Sequence, residues 1–274
     1  MTIEIRDLTV TYPSGMFSRG QGHVALSGVN LTIPRGCVMG IVGESGSGKS
    51  TLGRVLLRML RPSAGQVLIE GTDPWSLDSR DLPAFRRAVQ AVFQDSGASL
   101  NPRRTIGASI REGLDIHGIG TPDIRLMRAV ELLSQVGLEA GYADRMPHTL
   151  SGGQRQRVNI ARSLALQPQL LIADEPVSAL DVSVQAQVLE LLADLRRLNG
   201  MTMVFISHDL SVVQEICDRV AIMHRGQLVE EGTADRIFSK PRHPVTQALM
   251  RDIPRLNLPQ LQITPAKPTL LTVG

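Results

Sequence analysis

Aromatic side chains are scarce: one Trp, two Tyr and five Phe make up 3% of the 274 residues. The stacking platforms of single-strand nucleic-acid binders need more material than that. A net charge of only +3, carried by scattered arginines, gives no basic patch either. Cysteine is nearly absent. Cys37 and Cys217 stand far apart in apolar runs, which excludes a disulfide framework and a cysteine-based metal site. No apolar run reaches the roughly 18 residues of a membrane span, and the N-terminus lacks the basic-then-apolar pattern of a signal peptide. The expectation is a soluble, cytoplasmic chain whose partners supply any membrane spans. What is present is a 42% hydrophobic chain, long enough for one large domain or two small ones.

Short apolar pulses punctuate the sequence. Residues 3–11 and 24–33 alternate as strands do, and a long Gly/Ser/Pro loop separates them. Residues 37–42 form a run without polar residues, as in a strand covered on both faces. A helix is expected over 52–60, and strands over 66–69, 88–93, 170–173 and 202–206. Val220 to Met223 and Gln227 to Glu231 flank Arg225-Gly226 and read as a hairpin. Residues 105–136 read as helices broken at 118–122, with Leu126, Val130, Leu133 and Val136 on one stripe. A second stripe holds Val184, Val188, Leu191, Leu192 and Leu195. The division is an α/β domain over 1–240 with a helical insertion at about 95–160. Residues 241–274 add a short helix and a proline-punctuated tail.

The chemistry concentrates at residues 43–51, GESGSGKST, between an apolar strand and a helix start. Gly43, Gly48, Lys49 and Ser50 fit G-x-x-x-x-G-K-[ST], and Gly46 adds a glycine. Such a turn points successive N–H groups of Glu44, Ser45, Gly46, Ser47 and Thr51 inward, and a helix N-terminus adds partial positive charge. Lys49 reaches the β- and γ-phosphates and Ser50 offers its hydroxyl to Mg²⁺. Hydrolysis needs further groups. Asp174 and Glu175 close an apolar strand: Asp174 is the expected metal ligand and Glu175 the base acting on water. Gln94 and His208 end other strands, Gln94 facing Mg²⁺ or its water and His208 the γ-phosphate.

Residues 150–154, Leu-Ser-Gly-Gly-Gln, open a second helix with small residues. Ser151 could simply cap that helix, or the turn could be a second anion site. One chain does not need two such sites for one triphosphate, so the second reading hands the turn to a nucleotide held by another molecule.

Together these residues resemble the ATP-binding-cassette ATPases along nearly the whole chain. Residues 43–51 match the Walker A loop, Gln94 the Q-loop and LSGGQ the signature. LLIADE matches Walker B, residues 178–181 the D-loop and His208 the switch histidine. The resemblance implies a P-loop NTPase (RecA-like) α/β core with an N-terminal antiparallel β-subdomain and an inserted α-helical subdomain. It implies adenine stacking on Tyr12, and binding of ATP and Mg²⁺. Ser151, Gly152, Gly153, Gln154 and Asp181 would act at the partner's nucleotide. VFQDSGASLNPRRTIG, the glycine-rich loop after Tyr12 and HPVTQALMRDIP are similar to the peptide/nickel importers, with Val245 where tyrosine is usual.

That resemblance implies an ATP-hydrolysing motor on the cytoplasmic face of a membrane, working with a second ATPase subunit that is a distinct homologue or another copy. Two transmembrane permease subunits and, indirectly, a solute-binding protein complete the system. The cargo expected is nickel, a metal chelate or di-/oligopeptides. With no cysteine after Cys217, no iron–sulfur cluster is expected. A cassette ATPase of DNA repair or translation is the alternative, but repair types carry long coiled coils and translation types two cassettes. A kinase or GTPase would lack LSGGQ, and an exporter cassette is normally fused to its own spans.

Overall fold

The computed structural model describes residues 1–13, 22–94, 99–178 and 180–251. The glycine-rich loop after Tyr12, the segment just beyond Gln94, Ala179 of the D-loop and the tail past Arg251 lie outside the described residues.

The first half of the chain contributes β1 (Ile3–Tyr12), β2 (His23–Ile33), β3 (Val38–Val42), α1 (Lys49–Leu56), β4 (Ala64–Ile69), α2 (Leu82–Ala88) and β5 (Val89–Val92). Three helices follow: α3 (Ile106–Ile116), α4 (Pro122–Gln135) and α5 (Gly152–Leu164). The remainder is β6 (Leu170–Asp174), α6 (Val182–Asn199), β7 (Thr202–Ser207), α7 (Leu210–Ile216), β8 (Arg219–His224), β9 (Gln227–Thr233), α8 (Ala234–Ser239) and α9 (Pro244–Arg251).

These strands form two sheets. One is antiparallel, in the order β2-β1-β4; the other has six strands in the order β5-β6-β7-β3-β8-β9. In the larger sheet β5, β6, β7, β3 and β8 run parallel, and β9 returns antiparallel on β8. The expected α/β core, antiparallel β-subdomain and helical insertion are all present.

The uninterrupted apolar strands are explained by cover on both faces. In β3, Val38 and Val42 enter one core while Met39 and Ile41 enter the other. In β7, Met203 and Phe205 face α5 to α7, whereas Val204 and Ile206 face α1 and the small sheet. Side chains of this size each gain about 1.5–3 kcal/mol on burial, which makes the strand register hard to shift.

Local signals set the helix limits. Thr105, Thr121 and Ser151 accept backbone N–H groups as N-caps of α3, α4 and α5. The helix expected over 52–60 instead begins at Lys49, inside the glycine-rich motif, and stops at Leu56, because Arg58 turns into the left-handed region at φ 56°. Ala88 ends a helix rather than starting a strand. The stripe expected on α4 packs at Val130, Leu133 and Val136, but Leu126 is left 47% exposed, and Ala129 and Leu132 are buried beside it. The second stripe packs as expected, with Val188, Leu192 and Leu195 buried.

On α3 and α4, Ile116, Ile124, Leu126 and Met127 are exposed. Ile124 and Met127 line a groove of about 280 Å³, along with Leu114, Ile119 and Arg87.

Candidate functional site

Parallel strands end at the same edge of a sheet, and loops leaving that edge converge. β3 feeds residues 43–48, β6 feeds Asp174-Glu175 and β7 feeds His208. Register places Val42 beside Ser207, and Asp174 beside Ile206.

The loop after β3 is tightly backed. A Cβ on Gly43 would overlap the Met223 carbonyl, and one on Gly48 would lie 2.6 Å from the Ala25 carbonyl. Gly48 also sits at φ 104°, a conformation that L side chains rarely adopt. The hairpin turn of β8 and β9 forms the floor. Gly226 donates its N–H to the Ser47 carbonyl at 3.0 Å, and its own carbonyl accepts from Ser27 N–H at 2.9 Å. The sequence marks Arg225-Gly226 as a turn; that the turn supports the glycine-rich loop depends on long-range packing.

Lys49 is buried, and its ammonium donates to the carbonyls of Gly43 at 2.7 Å and Glu44 at 2.9 Å. Of its three donors, one is left for another acceptor. Burial pushes its pKa below the usual lysine value, against the opposing pull of the Glu175 and Asp174 charges. Ser50 donates its hydroxyl to Asp174 Oδ1 at 3.3 Å. Burial raises the Asp174 carboxyl above the ordinary aspartate value, and the Ser50 hydrogen bond works the other way. Two adjacent oxygen donors of this kind suit a hard cation such as Mg²⁺.

Glu175 occupies the left-handed region at φ 48°, although it is not glycine. Such a backbone costs on the order of 1–3 kcal/mol and persists where the surroundings enforce it. Here its N–H donates to the Ile206 carbonyl at 2.9 Å and its carbonyl accepts the Ser178 hydroxyl at 3.1 Å. The turn presents the Glu175 carboxylate to His208, whose Nδ1 lies 2.9 Å from Oε1.

Tyr12 ends β1 with its hydroxyl 3.4 Å from Thr51 Oγ1, next to the start of α1. Gln94 lies two residues past β5, exposed at the same edge. Lys49, Ser50, Asp174, Glu175 and His208 thus come together, with Tyr12, Thr51 and Gln94 around them.

The signature turn stands apart. Among the described residues no hydrogen bond joins Ser151, Gly152, Gly153 or Gln154 to residues 43–51. Their neighbours are Leu180 and Val184 around the start of α6: a Cβ on Gly152 would lie 3.8 Å from Leu180, and one on Gly153 would overlap Val184. Ser151 does cap α5. Its hydroxyl accepts Gln154 N–H at 3.3 Å, while Gln154 Oε1 accepts Ser151 N–H at 3.0 Å. Gln154 Oε1 is therefore occupied within the turn, and Ser151 Oγ serves the cap as an acceptor, so the cap does not use the Ser151 O–H. Asp181 precedes α6 as its N-cap, exposed and without a side-chain cap bond.

Comparisons with known proteins agree on a family. The family description "ABC transporter" matches residues 26–178, and "Oligopeptide/dipeptide transporter, C-terminal region" matches residues 229–273. The dipeptide transport ATP-binding protein DppF of Escherichia coli strain K12 is 48% identical over 253 residues, spanning 92% of this chain and 76% of that protein. The oligopeptide transport ATP-binding protein AppF of Bacillus subtilis strain 168 is 47% identical over 256 residues, 92% of this chain and 78% of its own length. Among solved structures, a dimeric ATP-binding cassette in a post-hydrolysis state, bound to ADP and Pi, superposes with a TM-score of 0.75. It is 33% identical and covers 85% of this chain and 98% of that one.

Proposed function

The chain belongs to the ABC transporter ATP-binding family, and from that premise we propose that it is the motor of a peptide importer, closing on a second ATPase subunit around ATP. It is an ATPase of the importer type. The observation that supports the mechanism most directly is the pairing of Ser50 with Asp174 and of Glu175 with His208 at one sheet edge, 3.3 and 2.9 Å apart.

The loop of residues 43–51 binds the phosphates through backbone N–H groups, and Lys49 uses its remaining donor on them. Ser50, Asp174 and Gln94 would hold Mg²⁺, which when bound neutralises phosphate charge. Glu175 takes the proton of the attacking water, and His208 holds the carboxylate in place and contacts the γ-phosphate. Tyr12 stacks on the adenine. Ser151 and the N–H groups of Gly152 and Gly153 complete the partner's site, with Asp181 alongside. Charge-assisted hydrogen bonds contribute about 1.5–3 kcal/mol each, so losing the γ-phosphate reopens the dimer.

Among the described residues no helix is long and apolar enough to cross a membrane. Two permease subunits supply the spans and place this chain on the cytoplasmic face, and the exposed residues Ile116, Ile124, Leu126 and Met127 offer them a surface. A solute-binding protein delivers cargo. Peptide is favoured because DppF and AppF are named for dipeptides and oligopeptides, and neither is named for nickel. Nothing in the site favours a DNA-repair or translation role.

The test is Glu175→Gln. Turnover should fall by about 10²–10⁴, the usual worth of a general base. Saturating ATP should hold the variant as a dimer in light scattering. A variant that stays monomeric and retains turnover would overturn the mechanism.

A further inference from the structure

The chain has two tyrosines, and the reaction as described uses only Tyr12. Tyr142 lies in the 3₁₀ turn Ala140–Asp144 between α4 and the signature turn. Its hydroxyl accepts a hydrogen bond from Gln154 Nε2 at 3.0 Å. The other end of that amide, Oε1, accepts the Ser151 N–H, and the Ser151 hydroxyl accepts the Gln154 N–H. Arg145 covers the other side, its guanidinium 4.0 Å from the Tyr142 ring centroid. The segment is anchored in turn: the Arg145 carbonyl accepts Ile106 N–H at 2.9 Å, tying it to the first residue of α3. A continuous chain of contacts therefore runs from α3 through Arg145, Tyr142 and Gln154 to Ser151.

We propose that Tyr142 is a positioning residue for ATP hydrolysis, fixing the Gln154 side chain so that the signature turn holds Ser151 in one orientation. A capping box alone leaves the Gln154 amide free to rotate about its long side chain, and each rotation opens the Ser151 N–H. Fixing the far nitrogen on a phenol that is itself stacked and half-buried removes that freedom. The turn then meets the partner's nucleotide without first having to be ordered, as electrostatic preorganisation requires. The proposal rests on the reading that this turn serves the nucleotide of the partner subunit.

Tyr142→Phe keeps the ring and the Arg145 stack and deletes only the acceptor. Four measurements on the full chain, together with its ATPase partner where it has one, decide the matter. Amide exchange at Ser151 and Gln154 should speed up about threefold to tenfold, the range of one hydrogen bond. kcat/KM for ATP should fall by a similar factor. The melting temperature should fall by no more than about 2–4 °C, as for the loss of one hydrogen bond in a domain of this size, and ATP binding at the chain's own phosphate loop should be unchanged. In a Gln154→Ala background the same substitution should change neither exchange nor turnover further, because the contact it removes is already gone.

Unchanged exchange at Ser151, or full additivity with Gln154→Ala, overturns the brace. Faster exchange with unaltered turnover overturns its part in the reaction. Gly153→Asp separates the underlying reading: full turnover there refutes action on the partner's nucleotide, while the exchange data still judge the brace.

Discussion

Asp174 shows what a single carboxylate costs the fold that holds it. Burial raises its pKa, so the folded chain binds that proton more tightly than the unfolded chain does. Its contribution to stability is therefore fully present below the unfolded value of 3.8 and is lost as pH rises through the higher folded value. At neutral pH the charge is carried at a net cost, the usual price of a functional group. Asp174→Asn should accordingly melt at a higher temperature than the parent at pH 7, and the difference should vanish as the pH is lowered towards 3.8. The same variant should lose Mg²⁺-dependent ATP binding. Calorimetry across pH checks the first outcome and titration with ATP the second; an Asn variant less stable at pH 7 contradicts the argument. Lys49, Ser50, Asp174, Glu175 and His208 could be gathered from the sequence because each closes an apolar strand or sits in a glycine-rich motif. Tyr142 could not be, since an isolated tyrosine between helices carries no pattern until its partner is seen.

Among the elements, α9 depends on one acid in a different element. Glu230 of β9 accepts backbone N–H groups from Arg242 at 3.1 Å and His243 at 2.9 Å, just before the helix. Burial alone would raise its carboxyl; the His243 and Arg242 N–H groups and the Arg236 charge outweigh that and hold it below the usual glutamate value of 4.5. The clasp is thus intact above pH 4.5 and weakens as pH falls through the lower folded value. Beyond it Thr246 is fully buried, while Val245, Leu249 and Met250 pack on the core. Glu230→Ala removes the acceptor of two backbone donors that water can reach, at about 0.5–1.5 kcal/mol each, so residues 242–251 should exchange and be proteolysed faster while the ATPase core stays folded. Equal proteolysis of both proteins would count against the clasp. The short helix itself was readable from HPVTQALMRDIP, whereas α2 was not. None of α2's residues is buried, so no apolar period marks it, and α7 spans only seven residues.

At the scale of the whole molecule, nucleotide chemistry and the exposed apolar face of the helical insertion occupy different parts of the structure. Met127→Asp places a charge on the rim of the groove between α3 and α4 and should weaken co-purification with the permease subunits by about tenfold or more, the effect of losing one hot spot. ATP binding should be unaffected, and intact co-purification would move the contact elsewhere. Motif order made the fold class readable from sequence, but sheet order was not, because it depends on pairings between distant segments. β3 lies between β7 and β8, and the Gly36 N–H just before it donates to Thr202 Oγ1, 166 residues away. For a chain made from its N-terminus, this sets a timetable. The ribosome delivers the phosphate loop early, but the strands that flank it, and the Gly226 turn beneath it, come only after α3 to α6 have been made. Until then Val38–Val42 has neither of its strand partners, and the phosphate loop lacks the floor against which its glycines pack.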